Sequence, residues 1–348
     1  MIKVVTIGTA SRDIVVSSDL FRVVDDPAHL IKLGFPTGEA QCFALGGKTE
    51  VQDLLFTLGG DAANAAVTFA RQGFKTSAFV KLGGDQNGRD IFGILVKEGV
   101  KPVFKPEKRT KMDASVILLS PTGERTILVF RGVSRNLTNR DLQASDFSFD
   151  VAYIAPGHIP FPILSAIISR LRKKGAFIAM NPSGFYLKMG AVKLGSILRN
   201  LDLIILNREE GAVLTGKKYE DEKGIFERFD TLVRGLAVMT DGPKGVMVSD
   251  GRIIYKAGIY REKRVADRTG AGDAFGSGFV AGLFQSLRRV VFKKRQFKPD
   301  DLRRAIRLGS ANATSNVEQV GAQSGILTKR EFEDQQRWKN LLIKTYSI

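Results

Sequence analysis

Val265-Ala266-Asp267-Arg268-Thr269-Gly270-Ala271-Gly272-Asp273-Ala274-Phe275 is the stretch on which the reading of this chain turns. Three small residues, Gly270, Ala271 and Gly272, precede an apolar helical pattern running from Ala274 to Leu287. Small side chains let consecutive backbone N–H groups converge at a helix start, where the helix dipole adds positive potential. Such a turn binds phosphate oxygens or a developing anionic charge. Asp273, at the same helix start, can take a proton from a hydroxyl while the turn steadies a phosphoryl group. An aspartate that merely caps a helix after a glycine-rich turn fits the same letters. This segment alone leaves both readings open.

A second segment, Leu58-Gly59-Gly60-Asp61-Ala62-Ala63-Asn64-Ala65-Ala66, also sets two glycines before a helix. Asp61 and Asn64 share a helix face at i, i+3, where they can hydrogen-bond hydroxyl groups of a ligand. A third, Asn207-Arg208-Glu209-Glu210, passes from an apolar run into a helix. Between and around them, strand-length apolar runs alternate with helical patterns. Ile2–Ile7, Thr76–Leu82, Val151–Ala155, Ala176–Met180, Asp202–Leu206 and Leu236–Met239 read as strands. Ala62–Gln72, Gly88–Glu98, Phe161–Lys174, Glu209–Leu214 and Leu302–Val317 read as helices. Repeated strand–helix units predict a three-layer α/β/α body on a mostly parallel central sheet. Ligands then collect at the carboxyl ends of the strands.

Near 14–24, 42–57 and 113–131 the rhythm changes to strands without helices. Ala114–Ser120 and Thr126–Phe130 flank Pro121-Thr122-Gly123-Glu124, a hairpin turn. These pieces predict a small inserted β-sheet, a lid drawn from about 14–57 and 110–133. The α/β body covers 1–330 as one domain, and 331–348 is expected to be a helical tail.

Other classes are excluded on composition and motif. The chain has 348 residues, 43% hydrophobic and 26% charged, as in ordinary globular proteins. One cysteine, Cys42, rules out a disulfide framework or multi-cysteine zinc site, and the two histidines, His29 and His158, are far apart. No apolar stretch is long enough to span a bilayer, so a soluble cytoplasmic protein without a membrane partner is expected. Gly46-Gly47-Lys48-Thr49 fails as a phosphate-binding P-loop because Cys42 stands where that motif needs its first glycine. A dinucleotide fingerprint beginning at Gly270 fails at Phe275. The net charge is +17, but residues 288–307 hold nine basic and two acidic residues with no nucleic-acid motif. A solvated helix face explains that run, and a nucleic-acid partner is not expected.

In order and spacing, the two glycine-rich segments resemble the ribokinase-like (PfkB-type) carbohydrate and nucleoside kinase family across roughly residues 2–330. Thr240-Asp241-Gly242-Pro243-Lys244-Gly245 and the Asn-x-x-Glu segment fall between them, as in that family. The resemblance implies a ribokinase-like fold with a β-sheet lid and an ATP-dependent phosphotransferase. It makes Asp273 the catalytic base and Gly270, Ala271 and Gly272 the anion hole for the γ-phosphate. Asp13, Gly59, Gly60 and Asn64 would hold the acceptor hydroxyls. Asn207 and Glu210 would organise Mg²⁺ and water around the phosphates. Thr240, Gly242 and Asn312 resemble nucleotide-cleft positions, and Asp267 and Thr269 resemble a loop that binds a monovalent cation such as K⁺. Arg125 resembles a phosphate-facing arginine of some nucleoside kinases. A homodimer formed through the lid is also implied.

Departures bear on the substrate. Asp61 stands where lysine or asparagine is frequent, and Arg268 where threonine or proline is. The opening Gly8-Thr9-Ala10-Ser11-Arg12-Asp13 differs from the Asn-Pro-Ala type of the sugar-phosphate branch. An unphosphorylated sugar, phosphorylated on a primary hydroxyl, is therefore expected, with a nucleoside of the adenosine or cytidine type as alternative. A non-catalytic sugar or nucleotide binder is the weaker one.

Overall fold

Short apolar runs become the strands of one ten-stranded sheet in the computed structural model, which describes residues 1–35, 38–120, 125–285 and 297–347. From one edge the order is Lys101–Pro102, Lys75–Val80, Lys3–Gly8, Val151–Ala155, Phe177–Met180, Leu203–Asn207 and Leu236–Thr240, all parallel. Val246–Ser249, Ile253–Ala257 and Ile343–Ser347 then continue it antiparallel. The expected mostly parallel sheet is present.

Alternation along each strand sends side chains to two cores. Val5, Ile7, Ala152, Ile154, Ile178, Met180, Ile204 and Leu206 pack with the helices Phe161–Lys173, Gly190–Leu198 and Glu222–Leu232. Val4, Val151, Tyr153, Phe177, Leu203 and Ile205 face the other way, against Asp61–Arg71, Ala271–Gln285 and Pro299–Val317. Both faces are covered, as a parallel sheet requires.

A four-stranded sheet stands apart, in the order Asp53–Gly59, Ser11–Ser17, Ala114–Leu119, Arg125–Phe130. A two-stranded ribbon, Arg22–Asp25 with Glu39–Cys42, accompanies it. Leu119 pairs with Arg125 across the expected hairpin. Its turn, 121–124, lies outside the described residues.

The tail departs from expectation. Helix occupies only Lys329–Asp334, and the chain then adds Ile343–Ser347 as an edge strand on Ile253–Ala257. Ile343–Ser347 is a short polar run with only its first residue half-buried, so the letters carry no strand period that would have marked it. Of the basic run, residues 288–296 lie outside the described residues. In the part that is described, Arg304 pairs with Glu333 and Arg307 donates to the Trp338 carbonyl, so those charges serve the fold.

Candidate active site

The central strand Lys3–Gly8 is where the order of the parallel sheet reverses, with Lys75–Val80 on one side and Val151–Ala155 on the other. Its carboxyl end delivers the chain to Thr9, Ser11 and Asp13. Asp13 is buried in the strand Ser11–Ser17 and accepts from Ser11 Oγ at 3.0 Å. Gly59 lies directly behind it: a Cβ there would sit 2.2 Å from Asp13 Oδ2. Gly59 therefore makes room for the carboxylate, and does not itself line the cavity. Gly60, at the N-cap of the helix Asp61–Arg71, does line it.

The helix Ala271–Gln285 brings its first turn to the same place. Gly270 has φ +74°, and a Cβ on it would press within 2.6 Å of the Ala322 side chain. The first intrahelical bond runs from Ala274 N–H to the Gly270 carbonyl. First-turn N–H groups have no intrahelical acceptor. Ala271 is an exception to the expected anion hole, because its N–H donates to the Arg268 carbonyl at 3.3 Å. That leaves Gly272 and Asp273 as the amides best placed for an anion.

This turn is a wall of two cavities. One, of about 820 Å³, is lined by Asp13, Gly60, Asp61, Asn64, Gly270 and Asp273, among others, beneath the lid residues Ser115 and Phe130. The other, of about 120 Å³, is lined by Arg268, Ala271 and Gly272 together with Thr240, Gly242 and Thr314. Thr240 and Gly242 thus share a cavity wall with the turn.

Carboxylates crowd the larger cavity. Burial first, and then the charges of Asp61, Asp13 and Glu210, hold Asp273 well above the usual carboxylate range, against the opposing pull of the Asn64 N–H. Burial and Asp13 raise Asp61; burial, with a smaller push from Asp267, raises Asp13. Asn64 is engaged with its neighbours: its Nδ2 donates to Asp273 Oδ2 at 2.9 Å, and its Oδ1 accepts from Gln323 at 2.8 Å. It positions Asp273 as well as lining the cavity.

Several assignments change. Asn207 and Glu210 form a reciprocal capping box, each side chain bonded to the other's backbone N–H, and neither lines the two cavities. Glu210 still senses the site, since burial and Asp61 raise its carboxyl. The Asp267 carboxylate accepts from Thr269 N–H, Thr269 Oγ1 and Gly321 N–H, so it braces the loop. Arg125 is exposed and does not line the larger cavity.

Asn312 is corrected outright. It is fully buried, donating to the Ala274 carbonyl at 2.8 Å and accepting from Leu327 N–H at 2.9 Å, while its helix neighbours Ala313 and Thr314 line the smaller cavity. Asn312→Ala is expected to cost about 1–3 kcal/mol in denaturant unfolding, the penalty of unpaired buried groups, with nucleotide KM unchanged. A large rise in nucleotide KM at intact stability would return it to the cleft.

Sequence reasoning missed Arg131, His158 and Lys188, which also line the larger cavity. They come from three separate connections and share no local pattern.

A model of the pfkB family carbohydrate kinases matches residues 32–329. The chain belongs to that family. Ribokinase of Haemophilus influenzae is 26% identical over 291 residues, covering 80% of this chain and 87% of its own. Two solved structures share the fold: Arabidopsis thaliana ribokinase complexed with ribose and ATP (TM-score 0.74, 18% identity, 97% of this chain and 99% of that one). The other is adenosine kinase from Sinorhizobium meliloti (TM-score 0.74, 21% identity, 95% and 98%). The protein is thus a sugar or nucleoside kinase of the pfkB family with the ribokinase-like fold. No described helix is long and apolar enough to cross a membrane.

Proposed function

We propose that the protein transfers the γ-phosphoryl group of ATP to a primary hydroxyl of a small polyhydroxylated acceptor, a sugar in the first place. One observation carries this reading: Asp273 stands at a helix N-terminus that forms a wall of both an acceptor-sized and a narrower cavity. The narrower one, about 120 Å³, would take only the base end of ATP, beside Gly242, Pro243, Phe275 and Val317, with the rest of the nucleotide lying outside it and its phosphates at the turn.

In the proposed step the acceptor hydroxyl lies against Asp273. As its oxygen bonds to the γ-phosphorus, the bond from that phosphorus to the bridging oxygen breaks and the electron pair leaves on ADP. The hydroxyl proton passes to the Asp273 carboxylate. The Gly272 and Asp273 amides hold the equatorial charge, the kind of preorganised donors that often supply the largest share of catalysis. Asp13 and Asp61 fix the remaining hydroxyls, and the lid sheet excludes water.

Mg²⁺ usually binds through one or two carboxylates and substrate phosphates while keeping several waters. Glu210, with Oε1 outside its capping bond, would hold the ion through water, and the ion would supply charge neutralisation at the phosphates. No monovalent cation is assigned to Asp267 and Thr269.

The edge strand Arg125–Phe130 is exposed along its whole length, including Ile127, Leu128, Val129 and Phe130. An unpaired apolar edge calls for a cover, and a second copy of the chain at the lid supplies one; a light-scattering mass of one chain would discard the dimer.

ADP formation from ATP across a panel of sugars and nucleosides, with product position read by phosphorus NMR, tests the function. Acceptor-independent ADP release would overturn it, and absent release would overturn it in favour of a non-catalytic binder. Nucleosides phosphorylated in preference to every sugar would favour the adenosine- or cytidine-type reading. Asp13→Ala is expected to raise acceptor KM about 10- to 100-fold, the worth of hydrogen bonds to a charged group, with a smaller effect on kcat. An unchanged KM would remove Asp13 from the pocket.

A further inference from the structure

We propose that the acceptor carries an anionic group, a carboxylate or a phosphate, at the end remote from the hydroxyl that is phosphorylated. The proposal rests on the phosphotransfer reading above and names the substrate class of the same site.

The larger cavity carries two separate groups of charges: the carboxyls of Asp13, Asp61 and Asp273 act on one another, while the charges acting on His158 are Arg131, Arg135 and Asp113. Asp13, Asp61 and Asp273 gather at the reacting end. The second group is Arg131 at the foot of the lid and His158, with Lys188 on the same wall; the His158 ring lies tilted against Phe185 at 5.0 Å between ring centres. Arg131 and Lys188 are exposed, and among the described residues their side chains have no ion pair or hydrogen bond. Arg135 adds its field, acting with Arg131 and with burial to hold His158 below its usual range. One carboxylate faces this group, Asp113, and both its oxygens are already engaged by Ser134 N–H at 3.0 Å and Ser134 Oγ at 2.5 Å.

Cations left unmatched in a cavity that a ligand and a lid will dry are costly, and a neutral occupant offers them nothing in exchange for water. A nucleobase would stack on Phe130 or Phe185 yet leave Arg131 and Lys188 without a counter-charge. An anionic terminus supplies it, through charge-assisted hydrogen bonds. The acidic cluster repels the same terminus, so the two groups together admit the acceptor in one orientation, hydroxyl end toward Asp273.

Two matched pairs test this with ATP: gluconate against sorbitol, and ribose 1-phosphate against ribose, with adenosine as a fifth acceptor. Each anionic probe keeps a free primary hydroxyl at the end opposite its charge, and the two pairs separate carboxylate from phosphate. At least one anionic probe is expected to exceed its neutral partner in kcat/KM by about 10- to 100-fold. That advantage should shrink with added salt and in Arg131→Gln and Lys188→Gln. Neutral members equal or better in both pairs, adenosine ahead of all, or an advantage untouched by both substitutions would overturn the proposal. Calorimetric binding of the same probes to Asp273→Asn protein separates this from a failure of the phosphotransfer reading. Tighter binding of an anionic probe without turnover in wild-type protein would uphold the anionic site and sink the kinase step; equal binding within both pairs would sink the site itself.

Discussion

Asp273→Asn protein is expected to fold, bind both substrates and turn over more slowly by about a hundred- to ten-thousand-fold, the usual span for a lost general base. The amide keeps an oxygen for the Asn64 N–H, now 2.9 Å from Asp273 Oδ2, so the geometry of the turn is retained. The pH profile supplies an independent signature. Burial and three neighbouring carboxylates raise Asp273 well above an ordinary aspartate, so the wild-type acid limb falls at higher pH than a free carboxylate would give. Asparagine should flatten that limb. Stability moves the other way. A carboxyl whose folded pKa lies above its unfolded one penalises the fold most above the folded value, and the penalty fades as pH falls toward the unfolded value. The variant should therefore melt higher than wild type at alkaline pH, with the gain shrinking in acid. Near-wild-type turnover in the variant would refute the base assignment.

Trp338→Ala is expected to cost about 3–5 kcal/mol of unfolding free energy, as for other large buried aromatics truncated to alanine. Trp338 is 1% exposed, packs edge-on against Tyr260 at 5.1 Å, and offers its carbonyl to Tyr260 Oη and Arg307 Nη2, each at 2.9 Å. Arg337 lies over its ring and pairs with Glu318, whose carboxyl it holds below the usual range. Together these contacts fasten the segment that leads to the edge strand Ile343–Ser347. Denaturant unfolding reads the effect; a loss under about 1 kcal/mol, the scale of a surface change, would show that the tail adds little to the body.

The parts of this molecule that were readable in advance are those written locally. Gly59, Gly60, Gly270 and Asp273 declare themselves because a tight turn before a helix is specified by adjacent letters. The parallel strands are legible as apolar runs between helical periods. Asn312 was misplaced because one residue along a helix rotates a side chain by about 100°, enough to separate the buried Asn312 from Ala313 in the cleft wall. Asn207 and Glu210 were recognisable as a pair, but the spacing that suits a phosphate-side role also suits a capping box. Arg131, His158 and Lys188 could not be found at all from spacing. Only the folding of three distant connections over one cavity makes them neighbours.

The turn at residues 268–273 forms a wall of two chambers at once, with Arg268, Ala271 and Gly272 on one side and Gly270 and Asp273 on the other. Whatever shifts this partition from one chamber is felt in the other, so the two guests converse through a single strip of backbone. Thermodynamic reciprocity then fixes the terms: the factor by which the first guest changes the second's dissociation constant must equal the factor in the opposite direction.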